Sequence, residues 1–336
     1  MKICVVGAGA IGGLVGGKLA LAGEEVTLVD LGAHLQAIQK HGLKLIHPDH
    51  SETTVKNLKA TDNLREPGPQ DLVILALKTQ HIAGVAHGLR ALYGPDTVLV
   101  PLQNGLPWWY FQRHGGEFEG RRMEACDPTG VISENIPAER ILGCVVYPAG
   151  EVAAPGVVQH VEGDRLPLGE LDGRPSERAL RVSDAFVKAG FKAPILDNIR
   201  AEIWLKLWGN LSFNPISALT QSTLLDLCQF PLTRELAAEM MREAQRIAGK
   251  LGIEFRVPLE KRIAGAEKVG KHKTSTLQDV EHGRALELDT LIGAVIELGQ
   301  LTQVPTPHID AVFALAKLLD HTLQAERSRL HLERVA

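Results

Sequence analysis

Three glycines near the start of the chain are the first residues whose type and spacing could do chemistry. Gly7, Gly9 and Gly12 follow the apolar run 3–6, a pattern typical of a strand that turns tightly into a helix. The first glycine permits the turn, the second lets the backbone approach a pyrophosphate, and the third lets helix and strand pack closely. The helix N-terminus then favours the anion. We therefore predict a dinucleotide-binding loop formed by Gly7, Gly9, Ala10, Ile11 and Gly12.

An acidic residue closes the next apolar run. Asp30 follows the run 26–29, at about the distance along the chain at which a carboxylate binds an adenosine ribose. A 2′-phosphate there would meet a like charge, and 31–39 contains no arginine or lysine, only His34. The sequence therefore favours NADH over NADPH. The alternative is that Asp30 caps a helix beginning near Ala33 and a basic residue from elsewhere holds NADPH.

A stripe of polar side chains lies on an otherwise apolar predicted helix. Lys206, Asn210 and Asn214 recur at intervals of four residues and share one face, with Trp204 and Trp208 beside them. Unpaired buried polar groups are costly, so one cation and two amides in these surroundings need partners or a ligand. Periodicity alone leaves two interpretations open, an internal hydrogen-bond network and a catalytic stripe.

Two further polar residues follow apolar runs that are typical of strands. Lys78 comes after the run 72–77, and Asn104 comes shortly after the run 98–102. Ligands of open α/β sheets bind at the carboxyl ends of the strands. We therefore place Lys78 and Asn104 where a nucleotide would lie.

A last pair of polar residues belongs to a predicted helix over 277–303. Ser275 suits the N-cap of that helix, with Gln278 at the third helical position. Glu287 borders the apolar face of the same helix, and taken alone it is typical of a surface acid. Helix capping and substrate binding both stay open for Ser275 at this point.

The distribution of apolar runs and turn residues divides the chain into two parts. Short strand-like runs alternate with helical segments up to residue 197, and the remainder is almost wholly helical. We predict an α/β fold, with an N-terminal Rossmann-type, doubly wound domain over 1–197 and an all-helical C-terminal domain over 198–336. Its predicted helices span 198–214, 231–251, 277–303 and 308–325, separated by Pro215, Pro231, Pro258, Pro305 and Pro307.

Composition excludes several classes of partner. The formal net charge of −4 creates no field that would gather nucleic acid or an anionic membrane, and no apolar run is long enough for a transmembrane helix. The four cysteines lie far apart, without the spacing of a metal site, which predicts free buried thiols in a cytoplasmic protein. We expect no metal, and the long amphipathic helices lead us to expect a homodimer.

Taken in order, these residues resemble the ketopantoate reductase family. The matching motifs are GxGxxG at 7–12, K-T at 78–79, Q-N-G at 103–105, W-x-K-L-x-x-N-x-x-x-N-P at 204–215, and S-x-L-Q-D with E-x-D at 275–289. The resemblance covers essentially the whole chain. It implies reduction of a 2-oxo acid by NAD(P)H, and the leading reaction is 2-dehydropantoate (ketopantoate) to pantoate in pantothenate biosynthesis.

The resemblance also implies a role for each matching residue. Lys206 would be the general acid that protonates the carbonyl oxygen as hydride arrives, and Glu287 would orient the substrate and the lysine. The hydroxyl and carboxylate groups of the substrate would be held by Asn210, Asn214 and Ser275. Asn104 would bridge the cofactor and the substrate.

Two departures from the family pattern leave alternatives open. The family commonly has an arginine just after the second strand, where this chain reads 29–32 as V-D-L-G, which favours NADH. It also often has another asparagine where this chain reads 222–225 as S-T-L-L. One alternative is therefore an NAD-dependent D-2-hydroxy acid dehydrogenase of the same family. Another is a non-catalytic dinucleotide sensor, against which the complete set of polar residues argues.

Overall fold

The computed structural model describes residues 1–332, which form two compact units. Unit 1 comprises Met1–Gln103, Trp108–Arg122 and Thr129–Ile199. Unit 2 comprises Asn104–Pro107, Met123–Pro128 and the chain from Arg200 onward. The end of the predicted helical domain, 333–336, lies outside the described residues.

Unit 1 is built on β-sheets. Its strands are β1 (Lys2–Val6), β2 (Glu25–Val29), β3 (Leu43–Ile46), β4 (Glu52–Val55), β5 (Leu58–Thr61), β6 (Gln70–Leu75), β7 (Tyr93–Pro101), β8 (Gly143–Cys144), β9 (Ala149–Ala154), β10 (Val157–Glu162) and β11 (Leu168–Gly169). Strands β5, β2, β1, β6 and β7 form a parallel sheet in that order. A second sheet has the order β4, β3, β10, β9, and β8 pairs with β11.

Helices complete unit 1 as the sequence pattern predicts. They are α1 (Ala10–Leu21), α2 (Gly32–His41), α3 (Thr79–Leu89), α4 (Val131–Asn135) and α5 (Glu177–Lys188). The central strand β1 is buried over Ile3–Val6, as expected for a parallel strand between two neighbouring strands and covered on both faces. The predicted Rossmann-type α/β fold is confirmed. The strand-like apolar runs 142–147 and 166–168 form only the two-residue strands β8 and β11.

Unit 2 is helical, also as predicted. Its helices are α6 (Ile199–Thr220, whose first residue belongs to unit 1), α7 (Leu224–Gln229), α8 (Pro231–Lys250), α9 (Leu259–Lys268), α10 (Ser275–Glu281), α11 (Ala294–Thr302) and α12 (Pro307–Ala325), and a π-helical turn spans Asp289–Gly293. No helix in the described part of the chain is long and apolar enough to cross a membrane.

Two predicted helix boundaries in unit 2 are wrong. Helix α6 continues through Pro215 to Thr220, because buried residues beyond the proline, such as Ile216 and Ala218, hold its last turn in the core. The predicted single helix over 277–303 is interrupted between α10 and the π-helical turn. Gly283, with a φ of +66°, lies just beyond the end of α10 and takes a backbone conformation that ends a helix.

Candidate active site

The glycine loop, residues 7–12 of unit 1, has the predicted order of strand, turn and helix. Gly7 has a φ of +95°, and a Cβ added at Gly12 would lie 1.8 Å from the carbonyl oxygen of Gly7. Both positions therefore require glycine. A Cβ added at Gly9 would meet no neighbouring group within 4 Å, so the backbone there is open to an approaching ligand.

The N-terminus of α1 presents donors beside this open backbone. Gly9 is the N-cap, and among the described residues no side chain caps it and no acid lies in the first turn. The N–H groups of Ala10, Ile11 and Gly12 have no acceptor within the helix, because the first intrahelical bond runs from Gly13 N–H to the Gly9 oxygen at 2.7 Å. An anion would be stabilised here by these donors and by the helix dipole.

Asp30 lies against the glycine loop. Its Oδ2 accepts a hydrogen bond from the Ala8 N–H at 2.9 Å, and its Oδ1 accepts one from the Leu31 N–H at 2.7 Å. Helix α2 begins at Gly32, and no described side chain caps it. The alternative in which Asp30 caps this helix is therefore wrong. Each carboxylate oxygen keeps a further lone pair with which it could accept from a ribose hydroxyl.

Gln103, two residues beyond β7, is the first residue of the Q-N-G motif, to which the sequence analysis gave no separate role. Gln103 Nε2 donates to the carbonyl oxygens of Leu75 and Leu77, at 2.7 and 2.9 Å, and so fixes the segment that leads to Lys78. Its Oε1 is buried and has no hydrogen-bond partner among the described residues. A buried orphaned acceptor calls for a donor. The orphaned acceptor of Gln103, the open glycine loop and the first-turn N–H groups of α1 are therefore suited to binding a dinucleotide.

In unit 2 the structure brings two pairs of predicted residues together. The Lys206 ammonium donates to Asn104 Oδ1 at 2.5 Å, although the two residues lie 102 positions apart. On the next two turns of the same face, Asn214 Nδ2 donates to Ser275 Oγ at 3.3 Å. The structure shows no hydrogen bond from the Asn210 amide to another described residue, so that amide keeps its full capacity for a ligand.

Two tryptophans set the orientation of this face of α6. Trp204 and Trp208 are completely buried, and Trp208 Nε1 donates to the Met241 carbonyl oxygen at 2.7 Å. The Trp208 ring also stacks on Phe255 with a centroid distance of 4.1 Å. Because rotation of α6 would expose these rings, their burial holds Lys206 on a defined side of the helix.

Asn104 is held by its own backbone turn. Gly105 has a φ of +84°, and a Cβ there would lie 2.4 Å from the carbonyl oxygen of Thr290. That same oxygen accepts a hydrogen bond from the Leu106 N–H at 2.9 Å. The turn thus packs on the π-helical turn, a type of irregularity found often at functional sites. Glu287 lies two residues before the start of the π-helical turn, and its carbonyl oxygen accepts from the Leu291 N–H at 3.2 Å.

The structure corrects the predicted role of Ser275 in capping. The N-cap of α10 is Thr274, whose hydroxyl accepts from the Leu277 N–H at 3.2 Å, and Ser275 is the first helical residue. Since adjacent threonine and serine are both good capping residues, the sequence could not distinguish them. The Ser275 hydroxyl therefore stays available for Asn214.

Arg262 is a charged neighbour of α6 that the sequence analysis missed. A Cβ added at Gly209 would lie 2.0 Å from Arg262 Nη2, so the guanidinium lies directly against the helix backbone between Lys206 and Asn210. This approach explains a glycine inside a helix, which ordinarily costs about 1 kcal/mol relative to alanine. Sequence spacing carries no signal for it, because Arg262 belongs to another helix.

Comparison with known proteins decides the family. Family models described as ketopantoate reductase PanE/ApbA and ketopantoate reductase PanE/ApbA C terminal match residues 3–109 and 198–320. A 2-dehydropantoate 2-reductase from Mesorhizobium japonicum is 51% identical over 95% of this chain and 98% of its own length. The chain belongs to the ketopantoate reductase family. The glycine loop and the residues from Lys206 to Glu287 all lie inside the ranges matched by the ketopantoate reductase models.

Solved structures agree with this assignment. A crystal structure from Ralstonia solanacearum, described as a candidate ketopantoate reductase, has a TM-score of 0.91 and 40% identity, and the match covers 96% of this chain and 98% of that chain. The ternary structure of D-mandelate dehydrogenase with NADH and anilino(oxo)acetate has a TM-score of 0.82 at 24% identity, covering 96% and 99% of the two chains. At that identity the second likeness concerns the fold alone.

Replacing Gly105 should disturb the site through Asn104. We expect Gly105→Ala to lower kcat at least about tenfold, because its Cβ would collide with Thr290 and move Asn104 away from Lys206. Steady-state kinetics of NAD(P)H oxidation would measure the loss. The matched control is Gly115→Ala, since Gly115 also has a positive φ, of +74°, but its added Cβ would meet nothing within 4 Å. Equal kcat values for the two variants would contradict this role of the contact.

Proposed function

We propose that this chain is a 2-dehydropantoate 2-reductase, which reduces the 2-oxo group of 2-dehydropantoate to the alcohol of pantoate. As a member of the ketopantoate reductase family it is a nicotinamide-dependent oxidoreductase. The observation that supports the proposal most directly is the hydrogen bond between Lys206 and Asn104, because it ties a cation of one family motif to an amide of another. A chain that only senses dinucleotides has no use for such an arrangement.

Lys206 is the proposed general acid. Reduced nicotinamide, when bound, supplies the hydride that the reaction requires. The hydrogen bond to Asn104 holds the Lys206 ammonium, and we propose that the ammonium also donates to the carbonyl oxygen of the substrate. As negative charge develops on that oxygen, Lys206 transfers a proton to it.

The remaining polar residues of unit 2 are proposed to hold the substrate. Asn210 lies one turn beyond Lys206 and has an amide with both donors and an acceptor available. Asn214 and Ser275 are joined by a long and therefore weak hydrogen bond of 3.3 Å. Both side chains could exchange this bond for hydrogen bonds to a hydroxyl or carboxylate oxygen of the substrate at little cost in free energy. Glu287 is proposed to orient the substrate and Lys206.

We also propose that unit 1 binds NADH in preference to NADPH. The pyrophosphate would be held by the donors of Ala10, Ile11 and Gly12, with Lys78 as a further proposed contact. The Asp30 carboxylate would accept from the ribose hydroxyls and would repel a 2′-phosphate. His34, the only basic residue in 31–39, has both ring nitrogens in hydrogen bonds to the protein backbone.

A substrate panel combined with a Lys206 variant tests the reductase proposal. We expect the protein to oxidise NADH fastest with 2-dehydropantoate, compared with pyruvate, phenylglyoxylate and branched 2-oxo acids. Lys206→Ala should lower kcat by about 10²–10⁴-fold, the usual contribution of positioned proton transfer, and leave the Kd for NADH near normal. The exposed Lys261 on α9 provides the control, Lys261→Ala, which should keep full activity.

Three results of that experiment would reject the proposal or part of it. A wild-type kcat for Lys206→Ala under rate-limiting chemistry would remove Lys206 as the acid. Binding of NADH without oxidation by any substrate of the panel would favour the sensor. Faster turnover of phenylglyoxylate than of 2-dehydropantoate would reject 2-dehydropantoate as the substrate. It would favour a D-2-hydroxy acid dehydrogenase instead.

The cofactor preference is tested by a single change of charge. We expect a higher kcat/KM with NADH than with NADPH, and we expect Asp30→Asn to narrow the difference. An asparagine keeps an acceptor for the Ala8 N–H but removes the negative charge that would repel a 2′-phosphate. Measuring kcat/KM for both cofactors with one good substrate decides the question. A tenfold preference of the wild type for NADPH would contradict the assignment.

A further inference from the structure

The peptide groups on both sides of Ala8, inside the glycine loop, are held by side chains that follow β2. The Ala8 N–H donates to Asp30 Oδ2 at 2.9 Å, and the Ala8 carbonyl oxygen lies 3.0 Å from His34 Nε2. Ala8 itself is completely buried. The connection between β2 and α2 therefore anchors the loop at two successive peptide groups.

The second ring nitrogen of His34 reaches a different part of unit 1. Gly156, in the turn between β9 and β10, donates its N–H to His34 Nδ1 at 3.0 Å. Because Nδ1 accepts this hydrogen bond, the ring proton lies on Nε2, which donates to the Ala8 carbonyl oxygen. His34 therefore links the turn of the second sheet to the glycine loop in one defined orientation.

The geometry of the peptide bond gives this link a consequence for binding. The Ala8 carbonyl and the Gly9 N–H belong to one planar trans peptide group and point in opposite directions. When His34 holds the carbonyl oxygen, the Gly9 N–H is aimed away from His34. Gly9 is also the position at which an added Cβ would meet nothing within 4 Å, on an open part of the loop.

We propose that His34 is a positioning residue that aims the Gly9 N–H for the pyrophosphate of the dinucleotide. The inference rests on dinucleotide binding at the glycine loop, which is part of the proposed function. His34 acts through Ala8 and does not itself touch the ligand. Loss of its ring frees the Ala8–Gly9 peptide group to rotate, because the glycine on its C-terminal side permits many backbone conformations, so the binding conformation becomes one of several.

Amide side chains can separate the two hydrogen bonds of His34. In His34→Gln the amide nitrogen can reach the position of Nε2 and keep the bond to Ala8. In His34→Asn the amide oxygen can reach the position of Nδ1 and keep only the bond from Gly156. The pair therefore tests which bond matters, even where His34→Ala lowers stability. His41→Ala is the control, since His41 is exposed at the other end of α2.

Fluorescence titration of the whole protein with NADH measures the effect directly. We expect His34→Ala and His34→Asn to raise the Kd for NADH about five- to tenfold, as for the loss of one hydrogen bond, and His34→Gln to stay within about twofold of the wild type. Steady-state kinetics should show a raised KM for NADH, with an unchanged kcat at saturating NADH and an unchanged KM for the 2-oxo acid.

The outcomes separate this inference from the proposed function. If the wild type bound neither NADH nor NADPH, the proposed function itself would fail. If the wild type bound NADH and every His34 variant bound it equally well, only the positioning role would be overturned. Equal losses for His34→Gln and His34→Asn would overturn it as well, because ring packing and not the bond to Ala8 would then set the affinity.

Discussion

The hydrogen bond from the Lys206 ammonium to the Asn104 side-chain oxygen is the interaction on which the account of unit 2 depends. The positions of both side chains depend on contacts with residues that are distant in the sequence. The buried tryptophans of α6 set the direction of Lys206, and the docking of Gly105 on Thr290 sets the position of Asn104. A flexible lysine thereby becomes a positioned cation, which is what general acid catalysis requires. The structure thus supports chemistry as well as binding.

Sequence patterns predicted the parts of the protein in which the signal is local. The glycine loop depends on neighbouring positions, since Gly7 and Gly12 contact one another and Gly9 lies between them. The stripe on α6 depends only on helical periodicity, which by itself predicts that Lys206 and Asn214 share one face. The Rossmann-type order of elements followed from alternating runs for the same reason.

Features that depend on contacts between distant segments were not predictable. The sequence predicts that Pro215 ends a helix, but the buried residues beyond it keep α6 intact. The segments 104–107 and 123–128 join unit 2 without any sequence signal, and Arg262 and His34 act on residues of other elements. The roles of the site residues, the domain boundary after 197, the homodimer and the cytoplasmic location stay predictions.

The most direct test of the central claim is a double-mutant cycle on Asn104 and Lys206. It compares kcat/KM for 2-dehydropantoate in the wild type, Asn104→Ala, Lys206→Ala and the double variant. Because Asn104 is proposed to act by positioning the Lys206 ammonium, the double variant should be little slower than Lys206→Ala, with a coupling energy above about 1 kcal/mol. Losses that add to within about 0.5 kcal/mol would contradict the account, because the two residues would then act independently.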